Sequence, residues 1–191
     1  MTSSPNQQRN LNAPNIIASA RILATPFFIW MLLADGGQNQ ALRWGAAIFF
    51  VVAIASDALD GWLARRNNQV TELGKLLDPI ADKFLTGGAL VALSILNELP
   101  WWITVVVLVR EVGITIHRLI VAHDVVVAAA WMGKLKTVSQ AVAIALALFP
   151  FASVFGQWVI VLNVTTMTLA VVLTILSGID YVVTYARSKR R

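Results

Sequence analysis

The sequence predicts an all-α integral membrane protein, a bundle of six transmembrane helices with both termini on the cytoplasmic side. Three observations predict it. Of the 191 residues, 58% are hydrophobic and only 13% are charged, whereas soluble domains carry about 25% charged residues. The apolar residues gather into runs near the ~20 residues that a bilayer core requires. Basic residues then fall on alternate connections, as the positive-inside rule demands.

The predicted spans are 16–34, 42–64, 77–98, 101–121, 135–153 and 157–183. The first has no small-residue cleavage site behind it, so it reads as a retained span and not a signal peptide. Breaks fall at Asp35 to Gly37, at Arg66 to Asn68, at Asn97 to Pro100, around His123 and Asp124, and from Pro150 to Gly156. Residues 137–179 hold no charge, and at 1.5 Å per residue they would make a helix of about 65 Å. That is too long for one span, so a turn near Pro150 is required.

With the N-terminus inside, the inner side receives Arg9, Arg65, Arg66, Lys75, Lys134, Lys136, Arg187, Lys189, Arg190 and Arg191. The outer side receives only Arg43. An odd number of spans would put one basic terminus outside. Trp44, Trp101, Trp102 and Trp158 then fall near the outer interface, where indoles are favoured. The chain reads as one membrane domain over 1–191, with a polar N-terminal segment over 1–15 and a basic tail over 187–191. Absence of cysteine excludes disulfides and thiolate metal sites. The net charge of +5 sits beside apolar segments. Its partners are therefore anionic membrane lipids and phosphorylated substrates, and not nucleic acid.

Four of the ten acidic residues, Asp57, Asp60, Asp78 and Asp82, lie at or inside span ends. A carboxylate at membrane depth costs about 2.5–3.5 kcal/mol, which makes each a functional candidate. Close together they would repel, so they need bound metal or basic side chains. Asp57, Asp60, Gly61 and Ala64 form one helical stripe, with Arg65 at its edge. Two acids there are followed by two residues with almost no side chain, where a ligand can approach the backbone. Asp78 and Asp82 are a turn apart, with Gly74 a turn earlier. If the two helices are antiparallel neighbours, the four carboxylates meet at the cytoplasmic end. Oxygen donors without His or Cys favour Mg²⁺ first and Mn²⁺ second, and such ions take further ligands from phosphates. The plainer alternative is structural pairing with Arg65, Arg66, Lys75 and Lys83.

Asp57-Ala-Leu-Asp60-Gly61-Trp-Leu-Ala64-Arg65, then eight residues, then Gly74-Lys-Leu-Leu-Asp78-Pro-Ile-Ala-Asp82, resembles the complete signature of the CDP-alcohol phosphotransferases. Every defined position and both spacings match. The resemblance implies a membrane enzyme that binds a CDP-linked lipid at the cytoplasmic face, uses divalent metal and releases CMP. It implies that Asp57, Asp60 and Asp78 are metal ligands. Asp82 also touches metal and is the general base. Asn15, Asp60, Gly61, Ala64, Arg65, Thr71 and Gly74 would contact CDP-diacylglycerol. Homodimers are frequent in the family.

For the acceptor, Arg110, Arg118, Lys134 and Lys136 are the candidate phosphate ligands, because guanidinium and ammonium groups suit a phosphate monoester. The alternatives are a structural pair between Arg110 and Glu111 and an ordinary positive-inside loop at Lys134 and Lys136. Lys83 and His117 read as structural, and Arg21 either lines the site or marks the inner boundary. Pro14-Asn15, Arg110-Glu111, Gly133-Lys134-Leu135-Lys136-Thr137 and Ser177-Gly178-Ile179-Asp180-Tyr181 are similar to the family's branch whose acceptor is sn-glycerol 3-phosphate. Phosphatidylglycerol and inositol phosphate stay open as acceptors. Membrane prenyltransfer and ion-coupled transport are the rival classes; the single bipartite motif and its small-residue clearing argue against them.

Overall fold

The computed structural model describes residues 13–66, 72–121 and 131–188, with backbone only at 13–15, 35, 58–66, 72–78, 118, 119 and 121. Among the described residues every regular element is helical. Six long helices are α1 (Ala13–Leu33), α2 (Gln40–Arg66), α3 (Glu72–Ile95), α4 (Trp101–Val121), α5 (Trp131–Leu148) and α7 (Trp158–Ser188). A short α6 (Ala152–Phe155) and a 3₁₀ turn (Ala34–Gly37) lie between them.

Each long helix contains most of one predicted span, and the differences are at the ends. The fifth begins at Trp131 and stops at Leu148. Pro150 has no N–H to continue the ladder and turns Phe149 away from helix, so the chain breaks earlier than hydropathy alone suggests. Gly156 then reverses the chain with φ +90°, a backbone state that suits a residue without Cβ. Asn39 accepts a 3.1 Å bond from the Leu42 amide and caps the start of α2. Residues around His123 and Asp124, where a further break was expected, lie outside the described residues.

Among the described residues, three helices are long and apolar enough to cross a bilayer: Ile16–Leu33, Gln40–Asp57 and Trp158–Ser188. The other long helices carry charges in their interiors, among them Asp82 and Lys83 in α3, Arg110 and Glu111 in α4 and Lys136 in α5. The core joins Phe28 and Leu32 of α1, Phe50 of α2, Leu85, Leu90 and Leu93 of α3, and Ile144 and Leu148 of α5. Outside it, large apolar side chains such as Leu23, Val109 and Trp158 are exposed, as lipid-facing surfaces require.

Among the described residues, α1 packs extensively against both α2 and α3, whereas α2 and α3 touch only lightly. The two motif helices are therefore bridged by α1 rather than packed on each other along their length. Glycines allow this. A Cβ on Gly88 would stand 2.9 Å from Ile29 of α1, and one on Gly45 would stand 2.6 Å from Met31.

The Trp end of the bundle is tied by Arg43. This residue is buried in α2 and not in a loop. Its guanidinium pairs with both oxygens of Glu98. It also donates to the carbonyls of Leu148 and Ala147, each at 3.1 Å, satisfying orphan acceptors at the end of α5.

Candidate active site

The motif acids are carried by continuous helix. Asp57, Asp60, Gly61 and Ala64 are positions of α2, and Gly74, Asp78 and Asp82 are positions of α3. Pro79 sits inside α3 directly after Asp78 and removes one amide from the ladder beside the acids. Side chains are described for Asp57 and Asp82. Those of Asn15, Asp60, Ala64, Arg65, Asp78 and Arg118 lie outside the described residues, as do the surroundings of Gly61 and Gly74 and the whole of Thr71.

Asp57 is met from α1. The buried Arg21 donates to its Oδ1 at 2.5 Å, and Thr25 returns a 2.8 Å bond to the Arg21 carbonyl. Asp82 is met from its own helix, with Lys83 Nζ 2.8 Å from Oδ2. Thr86 donates to the Asp82 carbonyl at 2.7 Å. Among the described residues, Asp57 and Asp82 each give one oxygen to a cation and keep the other. Such oxygens suit a hard divalent ion. No group of three potential ligands stands together among the described residues, and two of the four motif acids lie outside them.

Lys83 leads away from Asp82 to a second centre. Its Nζ is also 2.7 Å from Glu111 Oε2 of α4. Arg110 reaches Glu111 Oε1 at 2.8 Å, and Lys136 of α5 bonds the same oxygen. Glu111 is 4% exposed and Lys136 is 2% exposed. Lys83, Arg110 and Lys136 against Asp82 and Glu111 leave one net positive charge. Arg110 also donates to Ser177 Oγ of α7 at 2.8 Å, and its buried Nε has no partner among the described residues.

Of the residues expected at an acceptor phosphate, Arg110 and Lys136 are brought together, while Lys134 is exposed on the first turn of α5. Glu111 and Lys83 emerge as members of the cluster. An acidic residue in the middle of an apolar helix was the available signal for Glu111. Arg110 also borders a groove of about 740 Å³ between α4 and α7, lined by Val109, Gly113, Ile175 and Gly178. At one part of this groove His117 Nδ1 and Tyr181 Oη are 2.9 Å apart. The Tyr185 ring stands edge-on to the same imidazole at 4.5 Å.

A helical membrane protein with a complete bipartite aspartate motif and an adjoining cation cluster around a buried carboxylate defines a class. A model of the CDP-alcohol phosphatidyltransferase family matches residues 11–177, and the chain belongs to that family. Its relatives narrow the comparison. It is 44% identical over 174 residues to a probable phosphatidylglycerophosphate synthase of Mycobacterium tuberculosis, covering 91% of this chain and 81% of that protein. It is 36% identical over 190 residues to the CDP-diacylglycerol–glycerol-3-phosphate 3-phosphatidyltransferase of Bacillus subtilis, covering 89% and 93%. A CMP-forming cardiolipin synthase of Streptomyces coelicolor is 43% identical over 104 residues, but that match covers only 54% of this chain and 48% of that protein.

Proposed function

We propose that this phosphatidyltransferase moves the phosphatidyl group of CDP-diacylglycerol to sn-glycerol 3-phosphate, forming phosphatidylglycerol phosphate and CMP. The observation that carries the acceptor is the positive excess of Lys83, Arg110 and Lys136 around the buried Glu111, reached from Asp82 through Lys83. A phosphate monoester supplies the anion that such a cluster lacks. The near full-length match to a relative named for glycerol 3-phosphate supports the same acceptor.

Asp57, Asp60, Asp78 and Asp82 would hold a divalent cation, Mg²⁺ first, which supplies charge neutralisation at the diphosphate and the departing CMP. Asp82 takes the proton of the acceptor hydroxyl. The hydroxyl oxygen forms its bond to the lipid-side phosphorus as the bond from that phosphorus to the CMP oxygen breaks. Lys83, with Nζ 2.8 Å from Oδ2, orients the Asp82 carboxylate. Arg110, Arg118, Lys134 and Lys136 form the basic wall that orients the acceptor's phosphate. Asn15, Asp60, Gly61, Ala64, Arg65, Thr71 and Gly74 contact the CDP-lipid in this reading, as the family motif implies.

The reading includes six spans in one membrane domain, both termini in the cytoplasm and an active site facing it. Six long helices and the inner-side excess of Lys and Arg support that topology. Assembly as a homodimer comes from the family resemblance.

The test is acceptor-dependent CMP release by the purified protein, with glycerol 3-phosphate, inositol phosphate and phosphatidylglycerol offered singly. Release with glycerol 3-phosphate alone is expected. Release driven by phosphatidylglycerol or inositol phosphate instead would reassign the acceptor and keep the chemistry.

A further inference from the structure

We propose that Glu111 is a positioning residue for the acceptor half of the transfer. Its carboxylate holds Lys83 in a position shared with Asp82 and holds Arg110 and Lys136 as a preset basic wall. This rests on the acceptor reading above.

Glu111 sits at the junction of three helices. It belongs to α4, Lys83 comes from α3 and Lys136 from α5. Both carboxylate oxygens are in use, Oε2 by Lys83 and Oε1 by Arg110 and Lys136. The residue is 4% exposed, so it acts through its neighbours and not by touching substrate. Lys83 is shared between Asp82 at 2.8 Å and Glu111 at 2.7 Å. The position of the ammonium over Asp82 is thus set from α4.

A device for joining helices alone needs one cation for one carboxylate. Three cations, Lys136 buried and Lys83 and Arg110 partly so, face the two carboxylates of Glu111 and Asp82, so one positive charge is left unmatched and its desolvation and repulsion are not repaid. The arrangement becomes favourable when a further anion joins it. Without the Glu111 charge, Lys136 loses its described counter-ion, Lys83 moves wholly to Asp82, and the cations separate by repulsion. The acceptor's phosphate would then meet a wall with the same charges in the wrong places.

The experiment is steady-state CMP release by Glu111→Gln in detergent–lipid micelles, varying each substrate with the other saturating. Glutamine keeps the shape and removes the charge. KM for glycerol 3-phosphate should rise by roughly tenfold or more, while KM for CDP-diacylglycerol stays within about twofold. Glu111→Asp should recover part of the loss. If both KM values stay at the parent values, or both rise together, the proposal is overturned.

The double variant Glu111→Gln/Lys136→Met removes one unpaired cation and separates folding from positioning. Its thermal midpoint should return toward that of the parent while KM for the acceptor stays high. Because Lys136 is itself part of the wall, a return of the acceptor KM to the parent value would overturn both the wall and the positioning role of Glu111. Should the parent protein release CMP with a different acceptor, the acceptor reading fails first, and the same KM comparison made with that acceptor decides the role of Glu111.

Discussion

At the residue scale, Asp82 connects the two halves of the site. It is the last acid of the motif, and through Lys83 it reaches the cluster around Glu111. Asp82→Asn removes the proposed proton acceptor while leaving an oxygen in place. CDP-lipid binding should survive, and CMP release should fall by about 10²-fold or more, the size expected for loss of a general base. Binding measured by calorimetry beside CMP release checks this. Normal turnover in that variant would move the base elsewhere. The motif acids were legible in the sequence because their spacing is local to two helices. The role of Glu111 was not, since its partners come from α3 and α5, and sequence spacing carries no distance between separate helices. The same holds for Arg21, whose side chain crosses from α1 to Asp57 of α2.

At the scale of elements, the bundle relies on small residues where helices approach and on polar bonds between them. Ser94 of α3 and Thr104 of α4 share a 2.7 Å hydrogen bond, the kind of interhelical link used where water is absent. Gly88 lets α1 close on α3. Gly88→Leu should overpack this contact and cost about 1–3 kcal/mol, read as a lower thermal midpoint in detergent. A midpoint equal to that of the parent would mean that the α1–α3 approach is looser than described. Arg43→Ala should loosen the opposite end by freeing the α5 carbonyls and Glu98, at about 1–3 kcal/mol, with little change in either KM. The apolar runs foretold six long helices among the described residues, of which three are apolar enough to cross a bilayer, and Pro150 and the Gly36–Gly37 pair foretold turns between them. The bridging of α2 and α3 by α1 was not legible, because it depends on where Met31 and Ile29 meet Gly45 and Gly88.

At the scale of the whole molecule, exposed tryptophans stand at the starts of several helices, Trp131 of α5 among them. Trp101, Trp102 and Trp158 are exposed at the starts of α4 and α7, and the basic tail follows the end of α7. The chain has no cysteine, so single cysteines report topology against a silent background. A cysteine at Ser153 should react with an impermeant maleimide from outside intact cells, and one at Ser188 only after permeabilisation. The reverse pattern would invert the assigned orientation. The central claim of the proposed function is that the motif acids of α2 and α3 hold a divalent ion on a diphosphate. The most direct test follows CMP release with glycerol 3-phosphate while free Mg²⁺ is titrated down with chelator and restored. The account predicts that release stops on chelation and returns with Mg²⁺ or Mn²⁺, one CMP for each phosphatidylglycerol phosphate formed. CMP release that continues at full rate in excess chelator would contradict it.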